Sequence, residues 1–110
     1  MALRLQPLRI PAGWSVGHNS FHELDPTEDL GDDGRPSFKE DPVQLTCERH
    51  GRLLDLGWYP DDDISGGAYR VVVHAGDYRG NCLHSPGSRE RLTIVAEIER
   101  LLIAVAEGRL

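Results

Sequence analysis

Apolar and polar residues alternate through the middle of this chain, and this period of two constrains its fold more than any other feature. The alternating segment 43–47 is followed by a turn at His50-Gly51 and by a second apolar segment at 52–59. Such alternation is typical of β-strands with one buried face. The sequence therefore predicts a β-hairpin over residues 43–59.

Other segments extend this predicted sheet. Residues 68–75 contain three consecutive valines, which predicts a central strand buried on both faces, and residues 78–83 are expected to pair back onto it. Residues 3–9 alternate as a short edge strand would. Residues 13–24 predict another strand, with a bulge or a turn near Asn19-Ser20 where the alternation changes register.

The C-terminal segment has the period of an amphipathic helix. Ser85 and Ser88 are its candidate N-caps, with Pro86 suited to the first turn and Gly108 to the position after the last turn. Six apolar residues recur at three- and four-residue spacing and form one stripe: Ile94, Val95, Ile98, Leu101, Leu102 and Val105. The predicted fold class is α+β, with a mostly antiparallel sheet of five or six strands and one long C-terminal amphipathic helix packed on one face.

The length of 110 residues fits a single domain, 1–110, with one two-layer core.

The net charge of the chain, −6, is concentrated in two segments. Residues 23–41 hold eight carboxylates and two bases, and most of them lie in a predicted long loop at about 25–42 that is rich in Pro, Gly and Asp. Asp61, Asp62 and Asp63 form the second acidic segment. If folding brings the two together, the protein presents one strongly negative face, suited to a metal ion, a basic partner or solubility.

Two metal sites can be considered from the sequence. Asp61, Asp63, Ser65 and Gly66 resemble the start of a calcium-binding loop, but its twelfth position is a valine rather than the required glutamate. A solvated Asp-rich turn is the simpler interpretation. His18 and His22 have a spacing that suits zinc only on a helix, whereas this segment is predicted as strand. We therefore expect no metal ion and no cofactor.

The sequence also lacks the signatures of enzymes, of nucleic-acid-binding proteins and of membrane or secreted proteins. It has no nucleophile elbow and no phosphate-binding loop, so an enzyme is not expected. Bases are not clustered, which disfavours nucleic acid and anionic membrane surfaces as ligands. Cys47 and Cys82 are 35 residues apart without a CxxC motif and are expected to be free thiols of a cytoplasmic protein. No apolar segment is long enough to span a membrane or serve as a signal peptide.

The aromatic residues are predicted mainly as core, with one exception. In an alternating strand, one of the neighbours Trp58 and Tyr59 points away from the core, and this pair leads directly into the second acidic segment. An aromatic side chain beside carboxylates is suited to contact an Arg- or Lys-rich surface. The predicted partner-binding residues are Asp25, Glu28, Asp29, Asp32, Asp33, Glu40, Asp41, Trp58, Tyr59, Asp61, Asp62 and Asp63.

Four short runs form a further pattern: Trp14 followed by Asn19-Ser20-Phe21-x-Glu23-x-Asp25-Pro26; Phe38-x-Glu40-Asp41-x-x-x-Leu45; residues 54–60 (LDLGWYP); and Gly67-x-Tyr69-Arg70-Val71. Together they resemble small bacterial immunity proteins encoded beside polymorphic or contact-dependent toxins. The resemblance covers about residues 14–105 and implies a protein that binds and silences one cognate toxin, often a nuclease.

Charge and resemblance together favour an immunity or inhibitor protein whose acidic surface blocks the basic cleft of a toxin. The carboxylates would stand where nucleic-acid phosphates bind, and complementary charge would raise the association rate. The alternative is a non-catalytic binding module, such as a homodimer that assembles through the helix face.

Overall fold

The computed structural model describes residues 4–23, 42–60, 66–76 and 80–110. Within these residues, six strands and one α-helix follow one another, with a short 3₁₀ helix at Glu48–His50. The strands are β1 (Ser15–Asn19), β2 (Val43–Cys47), β3 (Arg52–Tyr59), β4 (Ala68–Ala75), β5 (Cys82–His84) and β6 (Gly87–Ser88), and the helix is α1 (Arg91–Ala106). The predicted α+β class, with an antiparallel sheet and one C-terminal helix, is confirmed.

All strand pairs in the sheet are antiparallel. The order is β1-β2-β3-β4-β5, and β6 pairs with the beginning of β4. The predicted hairpin over residues 43–59 is present as β2 and β3, joined through Gly51, whose φ of 60° is the left-handed conformation that glycine adopts without strain. Gln44, Thr46 and Asp55 lie on the other face from the core residues Leu45 and Leu54, as the alternation predicted.

The core lies between one face of the sheet and α1. Strand side chains that face the helix are fully buried on the three central strands, where Leu54 pairs with Val73, and Leu56 pairs with Val71. The helix contributes its stripe: Ile94, Ile98, Leu101, Leu102 and Val105 are all buried, and Val95 packs against them. Burial of this stripe is what stabilises α1, because its intrinsic helix propensity alone is a weak determinant.

The ends of α1 are only partly as the sequence predicted. Gly108 has φ 76°, and the N–H groups of Gly108 and Arg109 donate to the carbonyls of Val105 and Ala104, which is a Schellman C-cap. The predicted N-caps are wrong, because the helix begins at Arg91 after Glu90, and no side chain caps it. Ser88 instead pairs with Tyr69 in β6, a long-range contact that outweighs the local capping preference.

Two further strand predictions need correction. Within residues 4–10 the only pairing is a single bridge from Leu5 to His22, so the predicted N-terminal strand is not formed. Strand β1 does end at Asn19, which agrees with the predicted bulge or turn near Asn19-Ser20, and an additional irregularity lies within the strand between Val16 and His18. In β4, Val72 is only half-buried, because its face of the sheet is the one opposite α1.

Helix α1 runs along the sheet from one end to the other. The two ends of the sheet are named after residues. At the Tyr59 end, β1 and β3 finish and β2 and β4 start; the opposite end is the Cys47 end. The helix begins just after β6, which pairs with the first residues of β4, so its N-terminus is at the Tyr59 end. Ala106 lines a shallow cavity with Cys47 and His50, which places its C-terminus at the Cys47 end.

Candidate partner-binding site

Ten of the twelve predicted partner-binding residues lie outside the described part of the chain. They are Asp25, Glu28, Asp29, Asp32, Asp33, Glu40, Asp41, Asp61, Asp62 and Asp63. The structure does describe the residues that flank both acidic segments, together with Trp58 and Tyr59.

The two acidic segments are attached to the same end of the sheet. The first connects the end of β1 to the beginning of β2, where Asn19 pairs with Val43 and the N–H of Ser20 donates to the carbonyl of Pro42 over 2.6 Å. The second connects the end of β3 to the beginning of β4, where Tyr59 pairs with Ala68. Since antiparallel neighbours alternate in direction, both connections are made at the Tyr59 end. The chain therefore enters and leaves both segments, with formal charges of −6 and −3, at this one end of the sheet.

Trp58 lies in the core rather than on the surface. Its side chain is 0% exposed, and its ring meets the Tyr69 ring edge to face at a centroid distance of 4.8 Å. The Phe21 ring also meets the Tyr69 ring edge to face, at a centroid distance of 5.4 Å, so three aromatic rings pack together at this end of the core. The prediction that Trp58 contacts a partner is therefore corrected, because a side chain without accessible surface cannot form a contact unless the core opens.

Tyr59 is the member of the pair that points away from the core. It is 37% exposed, lies on the face of the sheet opposite α1, and is the last residue of β3. The alternation of β3 forces this division, since successive side chains point to opposite faces. Tyr59 thus keeps the position that the sequence predicted for an accessible aromatic group beside the second acidic segment.

Arg89 fastens the beginning of β4 to the segment that enters α1. Its guanidinium lies over the Trp58 ring at 5.5 Å, and its Nη1 donates a hydrogen bond to the carbonyl of Gly67. This pairing of a cation with an indole face is favourable, and the hydrogen bond fixes the backbone where the chain re-enters the sheet after the second acidic segment. This role of Arg89 was not predictable from the sequence, because its partners are more than twenty residues away along the chain.

Leu5 and Leu92 are two large apolar side chains whose exposure was not predicted from the sequence. Leu92 is 66% exposed in the first turn of α1, and Leu5 is 49% exposed in the N-terminal segment. A hydrogen bond from Arg91 to the side-chain oxygen of Gln6 holds these two segments together. One signal was present in the sequence, since Leu92 falls outside the apolar stripe that accounts for the other large residues of the helix.

The candidate metal ligands are not brought together among the described residues. His18 lies on β1 and contacts the hydroxyl of Ser20 at 3.3 Å, whereas His22 is beyond the strand, opposite Leu5. Of the calcium-like loop, Asp61, Asp63 and Ser65 lie outside the described residues. Over the described ranges there is no group of three or more His, Cys, Asp or Glu side chains placed to hold a metal ion.

The two cysteines are free thiols in different surroundings. Cys47 on β2 is buried, whereas Cys82 on β5 is exposed. Two strands separate β2 from β5, which corresponds to about 14 Å at the normal strand spacing, beyond the reach of a disulfide. The expectation of free thiols is confirmed for the folded chain.

Comparison with protein-family models, with curated proteins and with solved structures gives no match for this chain. In the described part of the chain, no helix has both the length and the apolar character needed to cross a membrane.

Proposed function

We propose that this protein is an immunity protein that binds a cognate bacterial toxin and neutralises it by covering a basic active-site cleft. The observation that carries the proposal is the attachment of both acidic segments at the Tyr59 end of one sheet. Their combined formal charge of −9 exceeds the net charge of the whole protein, and the rest of the chain is net positive. The order of the residues along the chain therefore concentrates negative charge in two segments that are attached to one end of the sheet.

The physical consequence of this asymmetry is selective attraction of a basic surface. Complementary charge steers the two proteins together and raises the association rate constant by roughly 10–1,000-fold at low salt. A nuclease cleft is a suitable target, because it is lined by the Lys and Arg side chains that bind nucleic-acid phosphates. Carboxylates in that cleft would occupy the positions of phosphates and exclude the substrate.

The resemblance to bacterial immunity proteins supports the same function. Its most continuous run, residues 54–60, includes the end of β3 and thus the accessible Tyr59. A partner contact there would combine an aromatic group with the adjacent carboxylates, and Tyr is one of the residue types that contribute most to protein interfaces. We accordingly place the protein in the cytoplasm, where a toxin that degrades nucleic acid would have to be blocked.

A homodimer is the second candidate function, and one observation favours it. Leu92 and Ile103 are both exposed on α1, eleven residues and three helical turns apart, so they lie on one line along the helix. Such a line could pack against the same line of a second copy, with Glu97 or Arg100 at its edge. Sedimentation at high protein concentration tests this alternative, and a monomer there would exclude it.

Growth protection tests the proposed function directly. The protein encoded by the reading frame adjacent to this protein's gene, which the proposal takes to be the toxin, is induced in a host cell with or without this protein. We expect growth arrest without the protein and growth with it, together with a stable complex of the two purified proteins. Arrest in both cultures, or protection without any complex, would rule out neutralisation by direct binding.

A further inference from the structure

The segment that leads into β1 is fastened to the protein without the backbone pairing that holds the strands. The backbone of residues 4–6 pairs with residues 21–23, and regular pairing starts again at Ser15. We call the residues between these two points, 7–14, the strap. Within the described part of the chain, no backbone–backbone hydrogen bond joins the strap to another segment, and its two prolines have no N–H to donate. The strap is therefore held by contacts that involve side chains.

Two hydrogen bonds fasten the strap to one side of α1. The N–H of Arg9 donates to a carboxylate oxygen of Glu99 over 2.8 Å, and the indole N–H of Trp14 donates to the carbonyl of Leu102 over 3.1 Å. Glu99 and Leu102 are three residues apart and so lie on the same side of the helix. Because the strap meets Glu99 first and Leu102 second, it runs in the direction of α1, toward the Cys47 end.

The apolar side chains of the strap are only partly removed from water. Leu8, Ile10 and Trp14 pack against the core, but all three are half-buried, whereas the core residues of the central strands are fully buried. Hydrophobic stabilisation scales with the apolar area that is buried, so these side chains hold the strap less firmly than the core holds the strands. Incomplete burial and the lack of backbone hydrogen bonds are together the properties of segments that open locally while the rest of a protein stays folded.

The thiol of Cys47 lies beneath the end of the strap. Ser15 pairs with Thr46, so Trp14 and Cys47 are the next two residues in the same antiparallel register. Residues 12–13 line the shallow cavity to which Cys47 also contributes, and the Cys47 side chain is only 1% exposed. The end of the strap therefore forms part of the cover over this buried thiol.

We propose that the strap is a cover that opens while the sheet and α1 remain folded, and that its opening exposes the Cys47 thiol to solvent. Backbone pairing fixes the chain on both sides of the strap, so the movement is confined to residues 7–14. The closed form shields the thiol, because a buried cysteine is inert, and the open form lets oxidants and disulfides reach it. The reactivity of Cys47 thus depends on the state of the strap. This inference is independent of the proposed function.

The contact between the strap and Glu99 allows a test with a matched control on the same helix. Glu99→Ala removes the acceptor of the Arg9 N–H. Glu97→Ala removes the same charge from α1, at a residue whose ion pair lies within the helix. Both substitutions are made together with Cys82→Ser, which leaves Cys47 as the only thiol of the chain.

The measured quantity is the rate at which Cys47 reacts with Ellman's reagent, an aromatic disulfide, under native conditions. The Cys47 thiolate attacks one sulfur of the reagent, forms a mixed disulfide and releases the other half as a coloured thiolate, so absorbance follows the reaction. The rates are measured again in low concentrations of urea. Local opening exposes little surface and depends weakly on urea, whereas global unfolding depends on it strongly.

We expect Cys47 to react in the native protein at a rate that depends weakly on urea. Glu99→Ala should raise this rate by about 5–10-fold, the effect of losing one hydrogen bond that holds the strap closed. Glu99→Gln keeps an acceptor oxygen and should lie between, and Glu97→Ala should change the rate by less than about 2-fold.

Three results would overturn the inference. The first is a rate with the full urea dependence of global unfolding, since Cys47 would then be exposed only in the unfolded chain. The second is an unchanged rate in Glu99→Ala, since the strap would then not control access to the thiol. The third is an equal increase in Glu97→Ala, since the effect would then follow the charge of α1 rather than the contact with the strap.

Discussion

Replacement of Trp58 by alanine is expected to lower the free energy of unfolding by about 3–5 kcal/mol, the usual cost of removing a large buried aromatic side chain. The indole is fully buried, packs edge to face on Tyr69, and supports the Arg89 guanidinium on its face. Its loss leaves a cavity and removes both ring contacts. Chemical denaturation monitored by circular dichroism measures the change.

The neighbouring residue supplies the matched control. Tyr59→Ala should change the free energy of unfolding by less than about 1 kcal/mol, since Tyr59 is partly exposed. Should Trp58→Ala prove too unstable to study, Trp58→Phe retains an aromatic ring and should cost about 1–2 kcal/mol. Similar losses for Trp58→Phe and Tyr59→Ala would contradict the division of this pair into a core residue and a surface residue. In binding the order should reverse, with Tyr59→Ala weakening the complex more than Trp58→Phe.

Neutralisation of the second acidic segment is expected to have the largest effect on binding. In the triple variant Asp61→Asn, Asp62→Asn, Asp63→Asn, affinity for the proposed toxin should fall on the order of 100-fold at low salt, because the proposed interface would lose three attractive charges. The difference from the wild type should shrink as salt rises, since screening weakens these charges in the wild type as well. Titrations at several salt concentrations measure both effects.

A control variant with the same change of net charge shows whether affinity depends on charges at the Tyr59 end or on the total charge of the protein. Glu48, Glu97 and Glu107 lie on the 3₁₀ helix or on the middle and end of α1, away from the Tyr59 end. Their joint replacement by glutamine also raises the net charge by three, and we expect a much smaller loss of affinity. If both triple variants lose affinity equally, total charge rather than the Tyr59 end governs binding. Stability of the Asp variant should be unchanged or slightly higher, because like charges have been removed.

The parts of the fold that were predictable from sequence are those set by local periodicity. The alternation of residues 43–59 fixed which side chains of β2 and β3 are buried, and the three- and four-residue spacing from Ile94 to Val105 fixed the buried side of α1. Gly108 was predictable at the helix end, because the left-handed conformation there strongly favours glycine. Each of these patterns is contained within one element and its immediate neighbours.

The features that were not predictable depend on contacts between distant residues. The local sequence favours Ser88 as an N-cap, but its pairing with Tyr69 places it in a strand. Gln6 is buried because Arg91, 85 residues later, binds its side chain, so neither its burial nor the exposure of Leu5 has a local signal. For the candidate site, the acidic segments were evident from composition, but their attachment at one end of the sheet follows only from the strand order.

The most direct measurement of the central claim is a titration of this protein with the purified product of the adjacent reading frame, the proposed toxin, repeated from low to high salt. We predict a one-to-one complex whose affinity decreases steeply with increasing salt, because the proposed function places a basic cleft against the Tyr59 end. Absence of a complex at low salt, or a complex whose affinity does not depend on salt, would contradict the proposed function.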